Sequence, residues 1–318
     1  MRTIVFVLNL SPEQLDRIRS VVPGWQIVSG QEPSVWTDHV STAEIIAGWN
    51  PVVEEAFVND SDFAVRWVHN WGAGVDRLPL SEFKRRGVVV TNSSGVHAYP
   101  ISETILGMML SLTRKLHTYV RSQQTQTWHH ASLSAEMHGK TVGILGVGAI
   151  GSETAKLCKA FGMHVFGMRR SGEPSAYVDT MVDIRGLATL MAASDYVVNT
   201  LPQTDYTDCL INEQQLSYMK PSAFYINIGR GKTTDEAALI RALKAKRIAG
   251  AGLDVFEQEP LPKDSPLWKL ENVIVTPHTS GSTEHYDNRA LDIFTANLDD
   301  YVNGRALSRN RVDLDQQY

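Results

Sequence analysis

The sequence has few of the features that would place it outside the ordinary globular proteins. It contains only two cysteines, Cys158 and Cys209, among 318 residues. Two cysteines are too few for a disulfide framework or a cysteine-based metal cluster, so we expect reduced thiols and no metal. The most apolar longer stretch, Ile105–Leu112, is far shorter than the roughly 20 residues that cross a bilayer. The first ten residues lack a secretory core and a cleavage site, and predict a strand instead.

The sequence also lacks a strong excess of either positive or negative charge. Lys and Arg number 30 against 35 Asp and Glu, which gives a formal net charge of −5. Phosphate binding needs a basic surface, so this balance argues against a nucleic acid partner. No 20–50-residue repeat, low-complexity linker or block of like charge is present. These absences predict a soluble, cytoplasmic protein without a membrane partner.

Apolar runs that read as strands alternate with segments of helical period along most of the chain. The length allows two domains, and 43% hydrophobic residues can supply their cores. Continuous Val and Ile runs predict strands buried on both faces, so we expect an α/β fold with two doubly wound parallel sheets. The predicted strands are Thr3–Leu8, Ile45–Ala47, Val65–Val68, Val88–Thr91, Thr141–Leu145, His164–Met168, Tyr196–Asn199, Ala223–Asn227, Gly250–Leu253 and Val273–Thr276. The main predicted helices are Glu13–Val22 capped by Ser11, Leu80–Arg86, Ile101–Gln126, Ser152–Ala160 and Asn288–Tyr301.

A glycine-rich turn is the clearest local signal. Gly146, Gly148, Ala149, Ile150 and Gly151 follow a predicted strand and lead into a predicted helix. This is the context in which a Gly-x-Gly-x-x-Gly pattern binds a dinucleotide, with the pyrophosphate at the helix N-terminus. The alternative is a glycine-rich turn without a ligand, which would weaken both elements for no gain.

The end of the next predicted strand bears on which dinucleotide fits. An NAD site normally has Asp or Glu there to bind the ribose hydroxyls, whereas this chain has Arg169, Arg170 and Ser171. Two guanidinium groups and a hydroxyl suit a 2′-phosphate. We therefore favour NADP(H), with NAD possible and two solvated surface arginines as the alternative.

Three further strand ends carry charged side chains. Arg230 lies between glycines after one predicted strand, Glu259 follows another, and His278 follows a third. Ligands of open α/β sheets bind beyond the carboxyl ends of strands, where all three lie. Taken singly, each also has an ordinary explanation, as a surface cation, a turn carboxylate and a loop histidine.

Together and in this order, these motifs resemble the D-isomer-specific 2-hydroxyacid dehydrogenase family over nearly the whole chain. The matching segments are Gly72-Ala73-Gly74-Val75-Asp76, Gly146–Gly151, Thr200-Leu201-Pro202, Asn227-Ile228-Gly229-Arg230-Gly231, Leu253-Asp254-Val255-Phe256, Glu259-Pro260 and Pro277-His278. The paired arginines resemble the glyoxylate/hydroxypyruvate reductase branch of the family.

The resemblance implies a role for each of the three charged residues. Arg230 binds the carboxylate of a 2-oxoacid and polarises its carbonyl, and His278 is the acid that protonates the developing alkoxide. Glu259 pairs with His278, orients it and keeps it protonated. Formate dehydrogenases of the same superfamily have Gln in place of Glu259, so this residue favours a hydroxyacid substrate.

The resemblance also implies contacts outside these three residues. The N–H groups of Ala73 and Gly74 hold the substrate carboxylate, and Asp254 accepts a hydrogen bond from the nicotinamide carboxamide. The residues implied to line the ribose and phosphate side of the nicotinamide are Leu201, Pro202, Thr207 and Ile228.

We expect a two-domain enzyme. Residues 1–98 and 285–318 form a flavodoxin-like substrate domain, and residues 99–284 form a Rossmann dinucleotide-binding domain. We expect a homodimer that reduces a small 2-oxoacid, such as glyoxylate or hydroxypyruvate, to the D-2-hydroxyacid. The alternative is a nucleotide-sensing, corepressor-like interaction protein with the same fold. The physiological 2-oxoacid and the direction of the reaction stay open.

Overall fold

The computed structural model describes residues 1–132 and 135–318. The chain forms two compact units. One comprises Met1–Val96 together with Glu284–Tyr318, and the other comprises His97–Thr283.

Each unit is built on one parallel sheet. The strands are β1 (Thr3–Phe6), β2 (Gln26–Ser29), β3 (Ile45–Ala47), β4 (Trp67–Asn70), β5 (Val89–Asn92), β6 (Thr141–Leu145), β7 (His164–Met168), β8 (Thr180–Val182), β9 (Tyr196–Asn199), β10 (Phe224–Asn227), β11 (Gly250–Leu253) and β12 (Val273–Val275). The strand order is β2-β1-β3-β4-β5 in the first unit and β12-β11-β10-β9-β6-β7-β8 in the second. Every pairing between these strands is parallel.

Helices connect most of the successive strands, while β7 is followed by β8 without a helix and β11 leads to β12 through a 3₁₀ turn. The helices are α1 (Pro12–Val21), α2 (Pro33–Val40), α3 (Pro51–Asn59), α4 (Leu80–Arg86), α5 (Ala98–Thr113), α6 (Leu116–Gln124), α7 (Ala149–Ala160), α8 (Leu187–Ala193), α9 (Glu213–Tyr218), α10 (Glu236–Lys244) and α11 (Tyr286–Val302). Short 3₁₀ turns occur at Ile184–Gly186, Gly231–Thr233 and Pro266–Lys269. The predicted capping role of Ser11 is confirmed, because its hydroxyl accepts from the N–H of Gln14 at 3.2 Å.

Side chains of the central strands pack alternately on the two faces of each sheet. In β1, Ile4 and Phe6 belong to one apolar cluster and Val5 to another, and all three are fully buried. In β6, Ile144 and Leu145 divide in the same way between two clusters. A strand covered on both faces reads as a continuous apolar run, which is why the sequence predicts it. The predicted fold class, α/β with two doubly wound parallel sheets, is confirmed.

Several predicted elements differ from the observed ones at their ends, and two differ in continuity or position. The helix predicted over Ile101–Gln126 is two helices, α5 and α6, because Lys115 has the left-handed backbone conformation with φ 54°. The imidazole of His117 then bonds to the carbonyl of Ser111 at 2.9 Å and satisfies an acceptor at the end of α5. The strand predicted at Val65–Val68 lies two residues later, as β4, and therefore includes a buried histidine.

Both cysteines are free thiols, and burial raises the pKa of Cys158 to about 12 while Cys209 is exposed. No helix in the described part of the chain is long and apolar enough to cross a membrane.

The buried histidine of the first unit is His69, in β4. Its ring is fully buried and bonds through Nδ1 to the Thr91 hydroxyl at 2.8 Å and through Nε2 to the Ser93 hydroxyl at 3.2 Å. The neighbouring Trp67 indole donates to the same Thr91 oxygen at 2.8 Å. Burial among these groups lowers the pKa of His69 to about 3, since a charged imidazole would lose its hydration there.

We predict that the first unit loses stability in mild acid because of His69. The pKa of His69 rises from about 3 when folded to its ordinary 6.5 when unfolded, so the unfolded chain binds the extra proton. Stability is therefore full above pH 6.5 and falls as the pH drops, by about 2 kcal/mol at pH 5. Urea unfolding at pH 7 and pH 5, followed by tryptophan fluorescence, measures this loss. His69→Gln removes the titrating ring and should abolish the difference; an equal pH dependence in that variant contradicts the assignment.

Candidate active site

The glycine turn joins β6 to α7 and leaves space at one position. Gly146 has φ +96°, and its N–H and that of Val147 donate to the Met168 carbonyl at 2.9 and 3.0 Å. A Cβ on Gly151 would lie 2.5 Å from the Gly146 oxygen, so only glycine fits there. A Cβ on Gly148 would meet nothing within 4 Å. The turn is thus tight where α7 meets β6 and open where a ligand would approach.

The start of α7 offers donors beside this open position. Ala149 and Ile150 are its first two residues, and no described side chain caps the helix. Uncapped amides at a helix N-terminus, together with the helix dipole, favour an anion. The arrangement fits the pyrophosphate of a dinucleotide.

The arginines predicted to bind a 2′-phosphate follow β7. Arg169 is partly buried and donates from Nη2 to the Pro174 carbonyl at 2.9 Å, while Nη2 lies 3.6 Å from the Glu173 carboxylate. Its Nε is buried and has no hydrogen-bond partner among the described residues. Arg170 and Ser171 are exposed beside it. A buried donor without an acceptor is costly, so the Nε of Arg169 fits an anionic ligand such as a phosphate.

The loop after β9 lies against the glycine turn, and the loop after β10 lies against the loop after β9. The Thr200 hydroxyl donates to the Gly146 carbonyl at 2.6 Å, and the next residue, Leu201, is buried. The Ile228 N–H donates to the Asn199 carbonyl at 3.1 Å, so Ile228 follows directly on the β9–β10 pairing. Thr207 closes its own loop, because its hydroxyl donates to the Pro202 carbonyl at 2.7 Å.

Arg230 is held at the carboxyl end of β10 by its backbone. Its carbonyl accepts from the Thr233 hydroxyl at 2.7 Å and from the Asn227 side-chain amide at 3.3 Å. Its guanidinium donates to the Gly229 carbonyl at 2.9 Å. Arg230 is partly exposed, while Gly229 and Gly231 on either side of it are buried.

A close backbone approach fixes this turn against the one after β11. A Cβ on Gly231 would lie 1.8 Å from the Phe256 carbonyl oxygen and 2.5 Å from the Glu257 nitrogen. No side chain fits in this space. The sequence pattern identifies Gly231 as part of a motif, but the contact with Phe256 needs the tertiary structure.

His278 and Glu259 form a direct pair. The imidazole Nδ1 lies 2.7 Å from Glu259 Oε2, and the other carboxylate oxygen accepts from the Phe256 N–H at 3.0 Å. Because an ionised carboxylate only accepts, Nδ1 carries a proton and Nε2 is the nitrogen on the far side of the ring. The histidine side chain is 44% exposed, so its ring can meet a ligand.

Asp254 holds the segment that carries His278. Its carboxylate is fully buried and accepts from the Thr276 hydroxyl at 2.6 Å, the Thr279 N–H at 3.0 Å and the Ser280 N–H at 3.1 Å. Its carbonyl accepts from the His278 N–H at 2.9 Å. These bonds grip the chain on both sides of His278, whose φ is +52°. Thr276 and Thr279 are contacts that the sequence pattern does not reveal.

The sheet order brings these side chains to one edge. Arg230, Asp254 and His278 follow β10, β11 and β12, which are neighbours in the sheet. Adjacent parallel strands lie about 4.8 Å apart, and their carboxyl ends share an edge. A guanidinium, a buried carboxylate and an imidazole paired with a second carboxylate therefore gather at the carboxyl edge of the second unit.

The loop of Ala73 and Gly74 lies at the carboxyl edge of the other sheet, after β4. The Asn92 side-chain amide donates to the Ala73 carbonyl at 2.7 Å. The Asn70 amide donates to the Gly72 and Gly74 carbonyls at 3.0 and 2.7 Å. In a planar trans peptide group the N–H points opposite to the C=O of the preceding residue. Because the asparagines bind the Gly72 and Ala73 carbonyls, the N–H groups of Ala73 and Gly74 point away from them.

Comparison with known proteins gives the family of this chain. Residues 106–280 match the model of the D-isomer specific 2-hydroxyacid dehydrogenase, NAD binding domain. The chain is 34% identical to a glyoxylate reductase of Korarchaeum cryptofilum over 308 residues, which is 94% of this chain and 92% of the relative. It is similar to the NADPH-dependent glyoxylate/hydroxypyruvate reductase of Sinorhizobium meliloti solved with NADP and sulfate, at 27% identity and a TM-score of 0.84 over 100% of both chains. It is also similar to a D-isomer specific 2-hydroxyacid dehydrogenase of Xanthobacter autotrophicus solved with NADPH and MES. That identity is 29% and the TM-score 0.85, over 100% of this chain and 99% of the other.

The chain therefore belongs to the D-isomer-specific 2-hydroxyacid dehydrogenase family, and the predicted resemblance is confirmed. It is an NAD(P)-dependent enzyme of this family. The individual site residues are not identified by these matches, so their roles stay predictions.

We predict that Gly231→Ala destabilises the second unit. A Cβ overlapping the Phe256 carbonyl forces the two turns apart, which should cost on the order of 3 kcal/mol. Thermal unfolding measures the loss. Gly107→Ala is the matched control, because its Cβ on helix α5 meets nothing within 4 Å and should stabilise the helix by about 0.5–1 kcal/mol. Equal stability of the two variants contradicts the close approach at Gly231.

Proposed function

We propose that the protein reduces a small 2-oxoacid, of the size of glyoxylate or hydroxypyruvate, to the D-2-hydroxyacid with NADPH. The observation that carries this proposal is the 2.7 Å contact between His278 and Glu259 at the carboxyl edge of the nucleotide-binding unit. It supplies an oriented acid beside the expected position of the cofactor. The family membership and the glyoxylate reductase relatives support the same reaction.

Arg230 is the residue proposed to bind the substrate. A guanidinium presents a planar fork of donors that matches a carboxylate, and one donor can reach the adjacent carbonyl oxygen of a 2-oxoacid. Because the Arg230 backbone is tied to Thr233 and Asn227, the base of its side chain is fixed. With the backbone fixed, only the side chain itself has to be oriented when the substrate binds.

His278 is proposed to deliver the proton. When bound, the dihydronicotinamide supplies a hydride to the carbonyl carbon. Negative charge develops on the carbonyl oxygen, and the His278 Nε2–H donates its proton there. Glu259 stabilises the protonated ring through Nδ1 and, through its bond to the Phe256 N–H, keeps the ring in one orientation.

NADPH is the cofactor that the local chemistry favours. The pyrophosphate would be held by the glycine turn at Gly148, Ala149 and Ile150. The ribose and phosphate next to the nicotinamide would be lined by Leu201, Pro202, Thr207 and Ile228. Arg169, Arg170 and Ser171 would hold the 2′-phosphate, where the Arg169 Nε lacks a partner among the described residues. NADPH or NADP is also the bound cofactor in both solved relatives described above. Asp254 has three donors on its buried carboxylate, and a bond from the carboxamide would be a fourth.

The division of labour between the two units is also a proposal. The unit of residues 1–96 and 284–318 is proposed as the substrate domain. The N–H groups of Ala73 and Gly74 are proposed to donate hydrogen bonds to the substrate carboxylate. A homodimer and a cytoplasmic location remain predictions.

We predict that His278→Ala lowers kcat for glyoxylate reduction about 100-fold or more, because general acid catalysis is worth about 10²–10⁴. Affinity for NADPH should stay within about twofold, and loss of NADPH absorbance with a panel of 2-oxoacids measures the rate. His164→Ala is the matched control, since His164 also pairs with a carboxylate, Asp179 at 3.3 Å, and is 49% exposed. Full activity of His278→Ala would contradict the proposal that His278 is the general acid. A wild-type protein that binds NADPH but turns over no 2-oxoacid favours the sensor alternative.

We also predict that replacing Arg169 and Arg170 together by Ala weakens NADPH binding about tenfold or more and NADH binding little. A charged hydrogen bond to the 2′-phosphate is worth about 1.5–3 kcal/mol, and NADH lacks that group. Fluorescence titration with both cofactors measures the two affinities. The control pair is Arg241→Ala with Arg247→Ala, because both arginines bind Glu213 on the surface and their loss changes the net charge equally. Equal weakening of NADPH and NADH contradicts the assignment.

A further inference from the structure

A buried network of polar side chains lies beneath the turn that carries Arg230. Asn199, Tyr225 and Thr233 are fully buried, and Thr234 is nearly so. The Asn199 amide nitrogen donates to the Tyr225 hydroxyl at 2.9 Å and to the Thr233 hydroxyl at 2.8 Å. The Tyr225 hydroxyl also bonds to the Thr234 hydroxyl at 2.6 Å. Burial raises the pKa of Tyr225 to about 12, so the hydroxyl keeps its proton.

The direction of these bonds leads to Arg230. Both protons of the Asn199 amide are used, one on each hydroxyl. Thr233 therefore accepts from Asn199 and donates its own proton to the Arg230 carbonyl at 2.7 Å. A chain of donors thus runs from the end of β9 to the backbone of Arg230 without contact with solvent.

The same asparagine also holds the loop proposed to line the cofactor. The Asn199 side-chain oxygen accepts from the Leu201 N–H at 3.0 Å. One buried amide therefore ties two loops, that of Leu201 after β9 and that of Arg230 after β10. Displacement of either loop would leave buried polar atoms of the network without partners, and such atoms would lose hydrogen bonds that water cannot replace.

We propose that Asn199, Tyr225 and Thr233 are positioning residues that set the place of Arg230 relative to the cofactor loop. This inference rests on the proposed role of Arg230 in binding the 2-oxoacid. The three residues touch neither substrate nor cofactor; they act through the Arg230 backbone. Neither the Tyr225 nor the Thr233 hydroxyl bonds to the Leu201 loop. Loss of either hydroxyl should thus appear in the binding and turnover of the 2-oxoacid, and not in the affinity for NADPH.

The test compares variants that remove or keep single hydroxyl groups. Thr233→Val removes the donor to Arg230, and Thr233→Ser restores it. Tyr225→Phe removes one acceptor of Asn199 and is the milder change. Tyr196→Phe is the matched control, because its buried hydroxyl bonds to Thr113 at 2.7 Å on the opposite side of the same sheet.

The readouts separate positioning from general stability. They are KM and kcat for glyoxylate, inhibition by oxalate, Kd for NADPH and the thermal midpoint. We expect Thr233→Val to lower kcat/KM about tenfold or more and to weaken oxalate inhibition, with Kd for NADPH within about twofold. Tyr225→Phe should shift the same parameters in the same direction by a smaller factor. Thr233→Ser should return kcat/KM to within about threefold of wild type, and Tyr196→Phe should leave it unchanged even where its midpoint falls.

Several results would overturn the proposal. One is an unchanged kcat/KM in both Thr233→Val and Tyr225→Phe, and another is an equal loss in Tyr196→Phe. Weakening of NADPH and oxalate by the same factor would also overturn it. If Thr233→Val does not fold, Tyr225→Phe and Thr233→Ser decide, since the first must differ from wild type and the second must not. Arg230→Met keeps the two levels apart: full activity of that variant refutes the role of Arg230, while an inactive Arg230→Met beside fully active network variants refutes the network alone.

Discussion

Three successive strands of the larger sheet end at a buried polar residue or one residue before it, and the site depends on what these side chains bind. Asn199 and Asn227 are paired neighbours at the ends of β9 and β10. Each accepts from the N–H two residues later, that of Leu201 at 3.0 Å and that of Gly229 at 3.1 Å. Asp254, one residue beyond β11, accepts from the Thr279 and Ser280 N–H groups. Where parallel strands end, backbone groups lose their ladder partners, and these side chains replace them.

This replacement fixes the loops that carry the two side chains proposed to act on the substrate, Arg230 and His278. The Arg230 carbonyl accepts a hydrogen bond from the buried Thr233 hydroxyl. The next residue, Gly231, lies so close to the Phe256 carbonyl that no side chain fits between them. The Phe256 N–H in turn holds Glu259, which pairs with His278. The positions of a guanidinium and an imidazole are thus linked through backbone contacts that leave little room for adjustment. Such preorganisation favours catalysis because little reorganisation is left for the reaction itself.

The sequence predicts the parts of this arrangement that depend on local patterns. The strands His164–Met168, Tyr196–Asn199 and Gly250–Leu253 have the predicted bounds because they are apolar and end at polar or glycine-rich turns. The break at Lys115 was not predictable, since a left-handed lysine has no sequence signal. Strands β2 and β8 were missed because neither is a fully buried apolar run. The network of Asn199, Tyr225 and Thr233 joins residues of β9, of β10 and of the turn after β10, and the pairing of β9 with β10 together with that turn brings them together.

Arg230 and His278 are proposed to contact the same small molecule beside the cofactor. A crystal structure of the protein with NADP⁺ and oxalate, a mimic of a 2-oxoacid, tests it most directly. We expect one oxalate carboxylate on the Arg230 guanidinium and an oxalate oxygen within hydrogen-bond distance of the His278 Nε2. Oxalate bound away from both side chains, with NADP⁺ seated at the glycine turn, would contradict it.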